Sequence, residues 1–299
     1  PFHNGHAHQL HTLAQLHPDA LRICIMSGSF VQRGEPAIFS KFDRARWAIL
    51  GGADIVIELP TLYSTGSAQL FGTGAIRMMK ALAIDALSFG SETADLDALI
   101  DIAKRMDCES TQEQLRTYIN EGISYGAAFR KALDTEILNT PNALLGLEYI
   151  RAGLAYNVKL EYIPILRTSN HHEETLTDEL PSGTALRQLI TSNDNLSTQL
   201  RSSIPTSIAS DMIQVIKNSN YVDYNRYYDM VHSLSRRTPP QELEKYGDFS
   251  EGIEHLWSKA AQQSSWAAAI EEIKSKRYTY ARLQRMGAYL TLGITKDVL

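Results

Sequence analysis

Pro1-Phe2-His3-Asn4-Gly5-His6 opens the chain and leads at once into an apolar helical run over residues 7–16. A helix start leaves N–H groups without intrahelical partners and carries the positive end of the dipole, so it attracts phosphate. Gly5 has no side chain, and a flat ring or a phosphate can approach its backbone closely. His3 and His6 bracket it and can donate hydrogen bonds as charge builds on a phosphoryl group. The bland alternative is a surface loop with incidental histidines. A turn of this kind follows a core strand in doubly wound folds, so a first strand is expected within about ten residues upstream of Pro1.

Working outward, residues 21–26 read as a strand, 27–40 as a Gly-, Pro- and Ser-rich loop, and 41–50 as a helix. A second strand over 54–59 stops at Pro60. A helix over 66–83 leads to a third strand over 86–89 that closes at Gly90. Apolar helices with short polar links fill 95–156, and 159–165 is another strand. Ser182-Gly183-Thr184 caps a helix containing Leu186 and Ile190. Alternation on this scale predicts an α/β fold with a Rossmann-like parallel sheet. Beyond Asn193 the pattern is all-helical, so the expected division is an α/β domain over 1–193 and a helical region over 194–299.

Composition excludes several classes. The 299 residues are 43% hydrophobic and 21% charged, ordinary for a globular chain of two domains. No apolar run approaches the roughly 18 residues of a membrane span. Cys24 and Cys108 form no disulfide framework, which fits a reducing cytoplasm. The net charge of −5 argues against a uniformly basic nucleic-acid binder, so any RNA surface must be a local patch.

In an open parallel sheet, ligands bind beyond the carboxyl ends of the strands. Those ends here lead to His3 and His6, to the loop holding Gly28 and Gly34, to Glu58-Leu59-Pro60, to Gly90-Ser91-Glu92, and to Arg167 with Ser182 through Arg187. Gly90 closing an apolar strand would let an adenine ring stack on main chain, or it is a plain turn. Lys41 at a helix start could reach a polyphosphate, or lie on a solvated face. Ser182 and Thr184 offer hydroxyls at a helix start, and Arg187 one turn in offers a planar fork suited to phosphate. His3, His6, His8 and His11 do not gather on one helix face, so no metal site is expected. Lys274, Lys276, Arg277, Tyr278, Tyr280, Arg282 and Arg285 interleave cations with tyrosines, as RNA contacts do; the alternative is a tyrosine-anchored helix with a solvated basic face.

Longer blocks carry a resemblance. Beside the opening motif stand Met26-Ser27-Gly28-Ser29-Phe30-Val31-Gln32-Arg33-Gly34-Glu35-Pro36-Ala37 and Gly52-Ala53-Asp54-Ile55-Val56-Ile57-Glu58-Leu59-Pro60. Phe89-Gly90-Ser91-Glu92, Pro141-Asn142-Ala143-Leu144-Leu145-Gly146-Leu147-Glu148-Tyr149 and Tyr278-Thr279-Tyr280-Ala281-Arg282-Leu283-Gln284-Arg285 complete the set. Together they resemble the bacterial tRNA(Met) cytidine acetate ligase family, within the nucleotidylyltransferase superfamily that His-x-Gly-His marks. The resemblance implies an enzyme that makes acetyl-adenylate from acetate and ATP, with Mg2+ carried on the ATP phosphates. It implies transfer of the acetyl group to the exocyclic amine of the wobble cytidine of elongator tRNA(Met), giving N4-acetylcytidine.

By the same resemblance, ATP is held by the turn Phe2, His3, Asn4, Gly5 and His6, by Gly90, by Asn142 and by Arg167. The family commonly has a Gly/Ala-containing stretch before a Tyr-His pair, whereas this chain has Arg167-Thr168-Ser169-Asn170-His171-His172. His3, His6, Lys41 and Arg187 are the expected catalytic groups. Ser182 and Thr184 are expected at the nucleotide, and Lys276, Arg277, Arg282 and Arg285 at the tRNA. Two other readings remain at this point: a small-molecule adenylyltransferase of the pantetheine-phosphate or nicotinate-nucleotide kind, and a non-catalytic nucleotide- or RNA-binding module.

Overall fold

The order of elements follows from apolar runs and the residues that cap them. The structure is a computed structural model that describes residues 1–123, 125–166, 183–192, 196–250, 252–275 and 277–299. Helix α1 (Asn4–Leu16) leads to strand β1 (Ile23–Ser27), which stops before Gly28. Helix α2 (Lys41–Leu50) starts where the Ser40 hydroxyl accepts the Asp43 N–H. Strand β4 (Ile55–Leu59) ends at Pro60, which has no N–H to extend a ladder.

Between β1 and α2, the stretch expected as a plain loop holds a small hairpin of β2 (Phe30–Val31) and β3 (Glu35–Pro36). Two-residue strands are too short to show an alternating pattern. The helix expected over 66–83 is α4 (Ala68–Ala81), which Ser67 caps, and a short helix not expected from the sequence, α3 (Thr61–Ser64), precedes it.

Strand β5 (Ala86–Ser91) is followed by α5 (Leu96–Met106), α6 (Glu109–Asn120), α7 (Tyr125–Leu133), α8 (Pro141–Ala155) and strand β6 (Glu161–Leu166). Strand β1 pairs in parallel with β4, Ile23 opposite Ile55, and β5 pairs in parallel with β6, Ala86 opposite Glu161. The parallel pairing expected is present, and the described strands form it as two pairs. An apolar cavity of about 690 Å³ lies between β1 and β5, lined by Ile23, Ile25, Met26, Leu87, Phe71 and Met79 among others.

The remaining elements are α9 (Gly183–Ser192), α10 (Leu196–Ser203), α11 (Thr206–Lys217), α12 (Tyr224–Arg237), α13 (Pro240–Leu243), α14 (Ile253–Ala260), α15 (Trp266–Ile273) and α16 (Tyr280–Leu292). The cores do not part at residue 193. Phe2, Leu10, Trp47, Leu186, Ile190 and Met212 belong to one buried cluster, so α9 to α11 close over α1 and α2. Asp211 of α11 accepts hydrogen bonds from Trp47 and Arg46 of α2. A second core runs from Tyr227 to Leu290 and belongs to α12–α16. The cores divide between α11 and α12 because the apolar faces of α9–α11 find their burial on α1 and α2. Among the described residues, no helix is long and apolar enough to cross a membrane.

Candidate active site

The opening motif folds as a reciprocal cap. His3 Nδ1 accepts the Gly5 N–H at 3.1 Å, and His6 Nδ1 accepts the His3 N–H at 3.3 Å. This is a capping box with two imidazoles in the roles that Ser and Glu usually take. The rings lie one over the other, with centroids 3.9 Å apart. A nitrogen that accepts a hydrogen bond carries no proton, so each neutral ring holds its proton on Nε2. Both histidines are thus set as Nε2–H donors, and the cap leaves neither ring free to choose the other tautomer. His3 is 4% exposed and cannot swing into solvent.

Two contacts orient α1 against the β5–β6 pair. His17 at its end meets Glu161, at the start of β6, at 3.6 Å. Gln9 donates to Ser88 in mid-β5 at 3.1 Å. Helix α1 therefore runs antiparallel to β5, and His3 and His6 lie toward the strand end that carries Gly90. There Glu92 joins two expected sites: its carboxylate accepts the Asn142 side-chain N–H at 2.7 Å and the Ala143 backbone N–H at 3.1 Å. Asn142 and Gly90 are thereby fixed to each other through the first turn of α8.

On the other side, α9 brings Arg187 to the motif. A methyl group built on Gly183 would lie 3.8 Å from Arg187 Nη1 and 4.0 Å from His3 Nε2, so the two donors flank the same glycine. Arg187 and Arg44 both lie within electrostatic reach of Pro1. Arg44 is buried, donating to the Gly28 and Phe39 carbonyls, and thus braces the loop. Lys41 is engaged with Glu58 at 2.6 Å, which ties α2 to the end of β4. Thr184 falls in the first turn of α9; Arg167, Ser182 and Lys276 lie outside the described residues.

Two groups near Arg187 escaped the sequence reading. Burial first, and then the Arg187 charge, lowers the Arg33 guanidinium pKa, while Glu35 opposes the shift. The Tyr224 phenol is pushed up to about 12 by burial and Glu35, against the pull of Arg187 and Arg44. The available signal for Arg33 was a lone cation inside a glycine-bounded loop after a strand. Tyr224 gave no local signal, since it arrives from α12.

The β2–β3 hairpin that carries Arg33 is held from the helical side. Gly34 takes φ +78°, and any side chain there would collide with the backbone of Gln284 and Arg285 in α16. Glu35 accepts from Tyr228 at 2.8 Å and from Gln284 at 2.5 Å. Two cations expected on an RNA face turn inward instead. Arg285 donates to Asp248 at 3.1 Å, and Arg282 donates to the Asp248 carbonyl and the Ser250 hydroxyl while lying over Tyr278. Their chemistry is that of ties between α16 and the segment before α14. Arg277 is exposed beside Tyr278, and Tyr280 is 45% exposed.

The described arrangement gathers imidazole and guanidinium donors at a helix N-terminus, chemistry suited to a polyphosphate. The comparisons agree with that chemistry. The model of the HIGH Nucleotidyl Transferase family matches residues 1–299. A tRNA(Met) cytidine acetate ligase from Alkaliphilus metalliredigens is 34% identical over 317 residues, spanning 98% of this chain and 75% of the relative. One from Fusobacterium nucleatum is 32% identical, spanning 100% of this chain and 76% of the relative. A crystal structure of Thermotoga maritima TmcAL bound with alpha-thio ATP superposes with a TM-score of 0.90 at 28% identity, over 99% of this chain and 73% of that one. The apo form of the same protein gives 0.93 at 29% identity.

Proposed function

Because the chain belongs to the HIGH nucleotidyl transferases, and within them to the tRNA(Met) cytidine acetate ligase family, we propose that it activates acetate with ATP and acetylates the wobble cytidine of elongator tRNA(Met). In the first step an acetate oxygen attacks the α-phosphorus. The new O–P bond forms as the bond to the bridging oxygen breaks, and pyrophosphate leaves. Acetate is a weak nucleophile, so the step depends on in-line placement and on donors already aimed at the phosphates. The observation that carries the reading is the locked His3–His6 pair facing Arg187 across Gly183. His3 and His6 donate to the α-phosphate and the departing oxygen, and Arg187 holds the β- and γ-phosphates. Magnesium would arrive on those phosphates and offset their charge. Gly90 and Asn142, joined by Glu92, would hold the nucleoside half; Arg167 is assigned to the nucleotide by family resemblance, and Ser182 and Thr184 by their hydroxyls at an expected helix start.

In the second step the cytidine amine attacks the acetyl carbon, AMP leaves, and the nitrogen gives up a proton. The base must leave its stack to be reached. Arg277 and Tyr280 are exposed at the start of α16 and would offer RNA a cation and a ring. Lys276 joins them on sequence grounds. The role proposed for Lys41 is to hold Glu58 and shape the loop after β1, with its ammonium at the rim of the phosphate site. Such an enzyme works where the tRNA pool is, in the cytoplasm. The small-molecule adenylyltransferase and the non-catalytic module are disfavoured by a family match that runs through the helices after residue 193.

Acetate-dependent exchange of pyrophosphate into ATP, followed by acetyl transfer to elongator tRNA(Met), tests this reading. Exchange without tRNA and N4-acetylcytidine with it are expected. Exchange that needs a different acid, or none at all, would overturn it.

A further inference from the structure

Helix α9 leads from the histidine turn to a second concavity. At its start, a methyl group placed on Gly183 would lie 4.0 Å from His3 Nε2 and 3.8 Å from Arg187 Nη1. Arg187 and Thr191 follow at successive turns, and the Thr191 hydroxyl donates to the Arg187 carbonyl at 3.0 Å. Thr191 is exposed and forms one wall of a polar pocket of about 650 Å³, with Tyr221, Asp223, Tyr224, Asn225 and Arg226 among its other walls. Eight residues of helix separate Gly183 from Thr191, so the near wall lies about 12 Å along α9 from the Gly183 end.

Elements that build the nucleotide site also fix the pocket. The Val222 N–H donates to the Ile38 carbonyl at 2.8 Å, and the Tyr224 hydroxyl donates to the Pro36 carbonyl at 3.1 Å. The segment entering α12 is thereby fastened to the chain between β3 and α2. Asp223 caps α12 by accepting the Asn225 N–H at 3.0 Å. Tyr221 and Tyr224 are half-buried against the core that α1, α2 and α9–α11 share. Asn225 and Arg226 are exposed. Arg226 meets Asp223 at 3.3 Å with its side chain 87% exposed, a pair that water screens and that costs little to open. Adenylation uses none of these groups.

Two anchored rings beside an amide, a hydroxyl and a cation suit an unstacked nucleobase. The rings offer a π-face, the amide and hydroxyl meet the base edge, and the cation meets a phosphate. Among the described residues of the lining, Arg226 is the one cation, which fits an acidic chain whose RNA contacts have to be local. A base held here is too far from His3 to be the one acetylated, and near enough to be its neighbour in the same loop.

We propose that this pocket takes an anticodon-loop nucleobase adjacent to the wobble cytidine, laid against Tyr221 and Tyr224, met at its edge by Asn225, with Arg226 at its phosphate. The proposal rests on the acetate ligase reading and gives that reading an RNA subsite. Drawing the neighbouring base aside deprives the wobble cytidine of a stacking partner, which eases its approach to the acetyl group.

The test uses the full-length protein with Tyr221→Ala, Tyr221→Phe and Arg226→Gln. Fluorescent anticodon stem-loops of elongator tRNA(Met) are titrated, one intact and two abasic at either neighbour of the wobble cytidine. Y221A should bind the intact RNA about fivefold or more weakly, the loss of one base–ring stack, and Y221F should stay within about twofold of wild type. R226Q should flatten the salt dependence by about one unit of log–log slope. One abasic RNA should bind wild type as weakly as the intact RNA binds Y221A, and Y221A should lose nothing further with it. Acetate-dependent pyrophosphate exchange without RNA should stay within about twofold of wild type in every variant. A folded Y221A that binds intact RNA normally, or that loses exchange in step with RNA binding, overturns the proposal. Should Y221A not fold, the abasic RNAs on wild-type protein decide, and undiminished binding of both overturns it. Wild-type protein that acetylates the stem-loop while every variant matches it refutes the pocket alone. Wild-type protein that exchanges pyrophosphate but neither binds nor acetylates the RNA refutes the acetate ligase reading, and the pocket with it.

Discussion

His3 does two jobs with two atoms of one ring. Its Nδ1 caps α1, and its Nε2, which lies beside Gly183 of α9, is the proposed donor to phosphate. The jobs separate by substitution. Asparagine is a good N-cap, so His3→Asn keeps an acceptor for the Gly5 N–H and removes the Nε2–H donor. H3N should melt close to wild type while its acetate-dependent exchange rate falls by the equivalent of about 2–4 kcal/mol. His3→Ala should lose that rate and a further ~1 kcal/mol of stability from the missing cap. An H3N protein with near-normal exchange would assign His3 to folding alone.

Glu148 makes a different kind of prediction. It is 2% exposed, and its Oε1 has no hydrogen-bond partner among the described residues. Arg151, its partner at 3.4 Å, is also held by Asp107 and Tyr125. Burial raises the Glu148 pKa above the usual 4.5 despite Arg151. The folded state thus holds a proton that the unfolded state has released, and stability falls as pH rises from about 4.5 through the folded value. Glu148→Gln has no such slope. Urea midpoints of the two proteins should converge toward pH 4.5 and separate above it, with E148Q the more stable; a gap independent of pH would contradict this. At this scale the sequence pointed to His3 and Arg187 through their helix starts, and the structure brings them to the same glycine, Gly183. It did not point to Tyr224, whose bond to the Pro36 carbonyl joins elements far apart in the chain.

Among the elements, α16 carries the sharpest revision. Arg282 and Arg285 read as an RNA-facing pair, because cations near tyrosines on a helix look alike whether they face water or protein. The structure ties Arg282 to Asp248 and Ser250, and Arg285 to Asp248. Arg282→Gln with Arg285→Gln should therefore lower the melting temperature and reduce pyrophosphate exchange and acetyl transfer together, since α16 also seats Gly34. If exchange survives and only tRNA binding and its salt slope fall, the pair faces RNA after all. Helix α2 was legible to the residue because Ser40, Asp43 and Gly51 mark its ends. The hairpin was not, because its order comes from α12 and α16 rather than from its own sequence.

For the whole molecule, alternation of strands and helices was enough to predict the parallel α/β unit. The division expected at residue 193 marks where strands give way to helices, and burial runs across it: α9 to α11 belong to the core of α1 and α2. Periodicity tells which face of a helix is apolar, not which neighbour covers it.

The hairpin's attachment to α16 has a consequence for how the protein is made. Glu35 and Gln284 are 249 residues apart in the chain. At ~5–20 residues per second, roughly 12–50 s of synthesis separate the hairpin from its anchor. From the synthesis of Arg187 onward the nascent chain contains His3, His6 and Arg187, while the hairpin still lacks its contacts with α16 at Gly34 and Glu35. A ribosome-bound chain would then carry an unbraced loop beside its site until α16 emerges, so a partly translated copy would be slow to consume acetate and ATP before it could act on tRNA.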